Sequence, residues 1–212
     1  MPKDFYGIRA DSISDAFSIA AANSLLSEMK QMLDDGHDVN AIARYCGGTA
    51  LHTAAGLALI RSVEFLIGNG ADLNATDKND LTPLMNACST GKVKGSQFAL
   101  RLIAAGADVI YVRAADEMTA LKFAAKSCID EVLQALIDRG ANVDGPPGTD
   151  QTALMLAARS NNVSALKVLV ANGADISLPC KLKWAAGWTA EGLAEMEKRG
   201  AALAYLRGLK AP

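Results

Sequence analysis

The sequence predicts an all-α solenoid of stacked antiparallel helix pairs with projecting β-turn or hairpin loops, about five repeats followed by a degenerate C-terminal cap. Three observations predict it. GHDVNA at 36, GADLNA at 70, GADVIY at 106, GANVDG at 140 and GADISL at 173 recur at intervals of 34, 36, 34 and 33 residues. A second marker stands upstream of the last four of these: TALHTAA from Thr49, TPLMNAC from Thr82, TALKFAA from Thr119 and TALMLAA from Thr152. Half of the 212 residues are apolar but only 5% are aromatic, so the core is built from Ala, Leu, Ile and Val, which suits closely packed helices. Self-similarity at such a period is the mark of a stacked array in which no copy buries its apolar face alone.

Each part of the repeat has a physical reason. Thr49, Thr82, Thr119, Thr152 and Thr189 stand where a hydroxyl caps the amides that open a first helix, and Pro83 falls in a first turn that needs no donor. Alanine pairs, Ala54 with Ala55 and Ala157 with Ala158, let two helices approach closely. In the second helix Val63, Leu66 and Ile67, and again Leu166, Leu169 and Val170, form one apolar stripe. Gly70, Gly106, Gly140 and Gly173 end that helix in the left-handed conformation. A short extended segment then leads into a polar turn such as TDKND at 76 to 80.

In order, the copies run approximately 13–43, 44–77, 78–113, 114–147 and 148–180, with the cap over 181–212, as one domain. The first copy, DAFSIAAANSLLSEMKQMLDDGHDVNA, has Asp15 where threonine is usual. The last, GWTAEGLAEMEKRGAALAYLR, has Glu191 where the core leucine belongs. Terminal copies depart from the pattern because each presents one face to water.

From about residue 13 to residue 207 the chain resembles the ankyrin repeat, whose pattern of about 33 residues runs TPLHLAA, a second helix, then GADVNA. In that family the histidine of TPLH hydrogen-bonds between repeats. Here only His52 holds that position; Ser18, Met85, Lys122 and Met155 replace it, so some of those bonds are expected to be lost and methionine packing to compensate. The resemblance implies a protein that holds other proteins through the concave face made by the projecting turns and the exposed side of the first helices.

Mapped onto this chain, that face selects residues just before each threonine and just after each alanine pair. They are Tyr45 with Cys46; Lys78, Asn79, Leu81 and Ser89; Asp116, Met118 and Lys126; Gln151 and Arg159; and near the end Trp184 and Trp188. Interface anchors are enriched in such Trp, Tyr, Met and Arg side chains. Leu81 and Met118 are the most telling, because the repeat needs no apolar residue before threonine; local packing between turns is the competing explanation. The tryptophans of LPCKLKWAAGW at 178–188 either cap the last copy or await a partner.

Little material for chemistry is present. A net charge of -2 makes no field for nucleic acid or an anionic membrane. The three bases against seven acids of residues 1–40 and the six against three of residues 178–212 read as solvated ends. Cys46, Cys88, Cys128 and Cys180 show no CxxC pair and no histidine at metal-ligand spacing. His37 and His52 fall in structural motifs, and Cys88 replaces a motif alanine. Adjacent acids such as Asp34 and Asp35, or Asp116 and Glu117, point in different directions. Asn40 and Asn74 match a turn asparagine hydroxylated in some relatives, but ordinary turn hydrogen bonding explains them.

No signal peptide is expected from MPKDFYGIRADS, and no membrane span. The expectation is a cytoplasmic monomer without cofactor or metal. It does not bind nucleic acid or membrane; it binds a protein partner of unknown identity as adaptor or inhibitor, with a toxin-neutralising immunity protein as the alternative. An enzyme built on the repeat has no motif to support it.

One stretch, STGKVKGSQ at 89–97, resembles a phosphate-binding loop from a distance. Such a loop lies between a strand and a helix with lysine directly after its last glycine, whereas here a helix precedes it and Lys92 and Lys94 come before Gly95. The expected alternative is a long, basic, flexible turn holding the three residues by which this copy exceeds the 21 that separate threonine from glycine elsewhere.

Overall fold

The computed structural model describes residues 3–90, 92–127, 129–146 and 148–209; the sequence readings for Gly91, Cys128 and Pro147 lie outside them. By packing, the chain divides into two compact units, Met1–Thr90 with Gln97–Asp108, and Gly91–Ser96 with Val109–Pro212.

In the first unit, strands β1 (Lys3–Phe5) and β2 (Ile8–Ala10) pair antiparallel, Phe5 opposite Ile8. Tyr6 and Gly7, both at positive φ (54° and 78°), make the two-residue connection whose twist matches such a hairpin. This hairpin precedes the predicted array. Its signal was the alternation of Ile8, Arg9 and Ala10, of which Ile8 and Ala10 are buried and β2 packs on α1 (Ile13–Ala22). Helices α2 (Leu26–Asp34), α3 (Ala50–Gly56), α4 (Ile60–Gly68) and α5 (Pro83–Thr90) follow. First helices stack on first helices, α1 on α3 and α3 on α5, while α2 and α4 line the other side.

The second unit repeats the plan. It contains α7 (Ala120–Ser127), α8 (Asp130–Asp138), α9 (Ala153–Arg159), α10 (Val163–Ala171), a 3-10 turn at Lys183–Ala185, α11 (Ala190–Met196) and α12 (Gly200–Gly208). Here α7 packs on α9 and α9 on α11, with α8, α10 and α12 behind.

The alanine pairs explain the spacing. Ala20 with Ala21, Ala54 with Ala55, Ala124 with Ala125 and Ala157 with Ala158 are all wholly buried, because each first helix is enclosed by neighbours and only a methyl group fits. In α11 the matching second position is Glu195, which is exposed and pairs with Arg207 of α12 at 2.7 Å. Glu191, at the core-leucine position, reaches the same guanidinium at 3.3 Å. The last copy thus presents charged side chains where the others bury apolar ones.

Threonine caps behave as expected: Thr82, Thr119, Thr152 and Thr189 accept from the amides of Met85, Lys122, Met155 and Gly192. The first copy differs. Ser12 caps α1, and buried Asp15, freed from capping, accepts from the backbone amides of Arg44 at 2.7 Å and Tyr45 at 3.3 Å in the next turn. Gly36, Gly70, Gly106, Gly140 and Gly173 all sit at φ between 81° and 96°.

The long turn expected at STGKVKGSQ is corrected. From Lys92 the backbone is helical, and α6 (Lys92–Ala104) has 13 residues where α4 and α10 have 9. A helix satisfies its own backbone groups, and three extra residues make nearly one 3.6-residue turn. The insertion therefore lengthens the helix without rotating its apolar stripe, Phe98, Ala99, Leu102 and Ile103, out of the core. Buried Ser96, within the added turn, accepts from the amide of Ile129 that opens α8.

Candidate protein-binding surface

The projecting turns are tied to one another by side chains that serve as turn residues. Asp77 accepts from the amides of Asn79 and Leu81. Between copies, the Asn40 carbonyl accepts from the Asp72 amide at 2.7 Å, Asn74 from Asp108 at 2.8 Å, and Asp144 from Asp175 at 3.0 Å. The asparagines are thus occupied by inter-repeat bonding, as their turn chemistry suggests.

The TPLH position is where sequence reasoning expected losses. His52 behaves as the family histidine does: Nδ1 accepts from the Thr49 amide at 3.1 Å and Nε2 lies 2.9 Å from the Leu81 carbonyl. Burial holds its pKa below the ordinary histidine value. Lys122, only 2% exposed, preserves the inter-repeat bond by another route. Its ammonium donates to the Glu117 carbonyl at 2.8 Å and to the Thr149 hydroxyl of the next turn at 2.6 Å. Burial lowers its pKa, against the opposite pull of Glu117, Asp116 and Asp150. Ser18 substitutes likewise, bonding the Tyr45 hydroxyl at 2.9 Å and Thr53 at 2.8 Å. Only Met85 and Met155 replace the bond by packing, each 1% exposed.

In the first unit, Tyr45 is 52% exposed with its hydroxyl held by Ser18, and Cys46 is half-buried. Lys78 and Asn79 are exposed on one turn, fixed by the Lys78 amide donating to the Gly47 carbonyl at 2.7 Å. Leu81 is half-buried, with its carbonyl facing His52 and its amide on Asp77. In the second unit, Asp116 is exposed and gripped by both ends of the Arg113 guanidinium at 2.8 and 2.7 Å. Met118 is half-buried on the same turn, accepting from the Arg113 amide at 2.9 Å. The Gln151 amide nitrogen is enclosed without a hydrogen-bond partner.

The structure brings one group of these residues together. The Arg159 guanidinium lies over the Trp184 ring, 4.7 Å from its centroid, and its Nε donates to Glu197 at 2.5 Å. That bond holds the Glu197 carboxyl below the usual range. Lys126 lines the same cavity as Arg159. Trp188 is 42% exposed and packs on Gly192, where a side-chain carbon would stand 3.2 Å from its ring.

Sequence reasoning missed Glu197 and Arg199, whose only signal was the charged run EKRG. It also missed Ile110 and Val112, 62% and 37% exposed, which with Val109 and Pro146 line a cavity of about 190 Å³. Their signal was legible: Ile110 stands where earlier copies have Asn40 and Asn74. Among the described residues no helix is long and apolar enough to cross a membrane.

A family model for ankyrin repeats in three copies matches residues 17–111 and again 94–180. The chain belongs to the ankyrin-repeat family. It is 30% identical over 121 residues, 57% of its length, to the neurogenic locus Notch protein of Drosophila melanogaster. It is 38% identical over 76 residues, 36% of its length, to the mouse ankyrin repeat, SAM and basic leucine zipper domain-containing protein 1. These matches span only 4% and 16% of those longer proteins. Among solved structures this ankyrin-repeat chain is similar, at 23% identity and a TM-score of 0.76, to one from the complex of a predatory endopeptidase of Bdellovibrio bacteriovorus with an immunity protein. The likeness covers 94% of this chain and 99% of that one.

Proposed function

We propose that this ankyrin-repeat protein is a non-catalytic binding module that holds a protein partner against its turn tips and first-helix ends, as adaptor or inhibitor. One observation carries the reading: the repeated alanines of the first helices are buried, and the exposed side chains at the turns and first-helix ends differ from copy to copy. Seven residues after the threonine come Ser89, Lys126, Arg159 and Met196, and at the turns stand Tyr45, Lys78 with Asn79, and Asp116 with Met118. Within each unit, a uniform scaffold with varied outer residues suits recognition of a partner's surface, and the Trp, Tyr, Met and Arg content suits a protein.

The test is affinity capture with the intact chain, identification of the retained partner by mass spectrometry, and capture again with Lys78→Glu and Lys126→Glu. Binding is expected to fall more than tenfold while far-ultraviolet circular dichroism stays unchanged. Unaltered capture by both variants would sink this choice of face.

The inhibitor version has a specific observation in its favour, the likeness in fold to a chain from an endopeptidase–immunity protein complex. On that reading the chain neutralises a particular hydrolase by covering it. Mixing the purified chain with a peptidase encoded beside its gene should abolish activity at one-to-one stoichiometry. A peptidase left fully active at excess chain would favour the adaptor role.

A further inference from the structure

We propose that the cavity between α7, α9 and the turn joining α11 to α12 receives an acidic side chain from a protein partner. Lys126, Leu156, Arg159, Ser160, Glu197 and Arg199 line it, enclosing about 260 Å³, room for a carboxylate and its stem. Three cations face one anion. Glu197 holds Arg159 at 2.5 Å and Arg199 at 3.2 Å, so it positions both guanidinium groups while neutralising only one charge. Lys126 stands exposed at the rim.

Arg159 is prepared for a second carboxylate. The Trp184 ring lies 4.7 Å from its guanidinium carbon, and Glu197 takes its Nε, which leaves the terminal N–H groups of the planar fork for another acceptor. Fixing that geometry beforehand lowers the ordering entropy lost on binding. Beside Arg159 the Trp184 ring is 52% exposed, giving a flat apolar contact for a residue next to the acid.

The same chemistry disfavours a nucleic acid. A strand needs a row of cations along successive phosphates, whereas the cations of this cavity surround a carboxylate, Glu197, that would repel a phosphate. The proposal rests on the protein-binding reading above, but its test needs no natural partner. A failed titration with intact capture removes only this pocket, and unaltered capture after Lys78→Glu, a residue outside the pocket, counts against the turn-tip face and leaves the pocket standing.

The probes are an acetylated, amidated peptide alternating leucine and glutamate, its glutamine counterpart, and an oligothymidylate. Nitrogen-15 NMR follows the Arg159 Nε–H and the Trp184 indole N–H in the full chain. Saturable shifts are expected with the glutamate peptide and at least tenfold weaker ones with the glutamine peptide. Arg159→Gln and Lys126→Gln should each weaken binding about tenfold, the equivalent of one charge-assisted contact. Glu197→Gln, which keeps an acceptor for Arg159 but removes the competing charge, should tighten it. Equal response to both peptides, response to the oligothymidylate alone, or no saturable shift with any probe would overturn the proposal.

Discussion

Lys122 offers a way to separate what a buried charge contributes from what its carbon stem contributes. The side chain is 2% exposed, its Cε lies 3.5 Å from the place a side-chain carbon at Gly145 would take, and its ammonium makes two bonds. Lys122→Ala removes about three buried methylenes at about 0.8 kcal/mol each and leaves a cavity, so it should destabilise by about 3 kcal/mol. Lys122→Met keeps that volume, as Met85 and Met155 do at the same position of neighbouring copies.

What Lys122→Met loses is two charge-assisted hydrogen bonds, each about 1.5–3 kcal/mol. What it gains is relief from an ammonium desolvation penalty of about several kcal/mol. The two nearly cancel, and Thr149 still donates to the Gln151 carbonyl, so Lys122→Met should lie within about 1 kcal/mol of wild type. Urea denaturation at neutral pH measures both variants.

A second reading comes from alkaline pH. Because burial lowers the folded pKa of Lys122, the unfolded chain binds more protons between that value and the ordinary lysine value of 10.5. In that window wild-type stability gains a rising contribution with pH that Lys122→Met lacks. If Lys122→Met destabilises as much as Lys122→Ala, the bonds outweigh the desolvation and the reasoning fails.

Three further outcomes are expected. Gly47 lies at φ 67° with the Lys78 stem 2.6–2.8 Å from where a Cβ would stand, so Gly47→Ala should lower the urea-derived stability by about 1–3 kcal/mol; a neutral effect would mean the turn shifts freely. His52 and His37 both have pKa values lowered by burial, so the unfolded state binds more protons. Stability should be full above about pH 6.5 and fall as pH drops through the lowered folded values, and His52→Gln should flatten that fall in acid titrations. Arg207→Ala leaves Glu191 and Glu195 as like charges one helical turn apart on the terminal face, so it should lower the urea midpoint slightly. Hydrogen exchange should then rise first in α11 and α12, and uniform exchange would argue against a local closing role.

How much was legible depends on whether the physics is local. Helix caps, left-handed glycines and the two-helix period depend on residues a few positions apart, and the sequence showed them in register. Where the sequence went wrong, at the turn expected over STGKVKGSQ, glycines and lysines suggested a loop, but the preserved stripe of Phe98, Leu102 and Ile103 made one more helical turn the better solution. The losses expected at Ser18 and Lys122 did not occur, because hydroxyl and ammonium groups reach partners 27 residues away.

By itself the sequence determined the family and the repeating plan, since each copy must bury the same alanines and aliphatic stripe against its neighbour. The tertiary structure alone decided which outer residues meet. Arg159, Trp184 and Glu197 stand in three different segments, and no period predicts their contact, because exposed positions are those the repeat leaves free to vary.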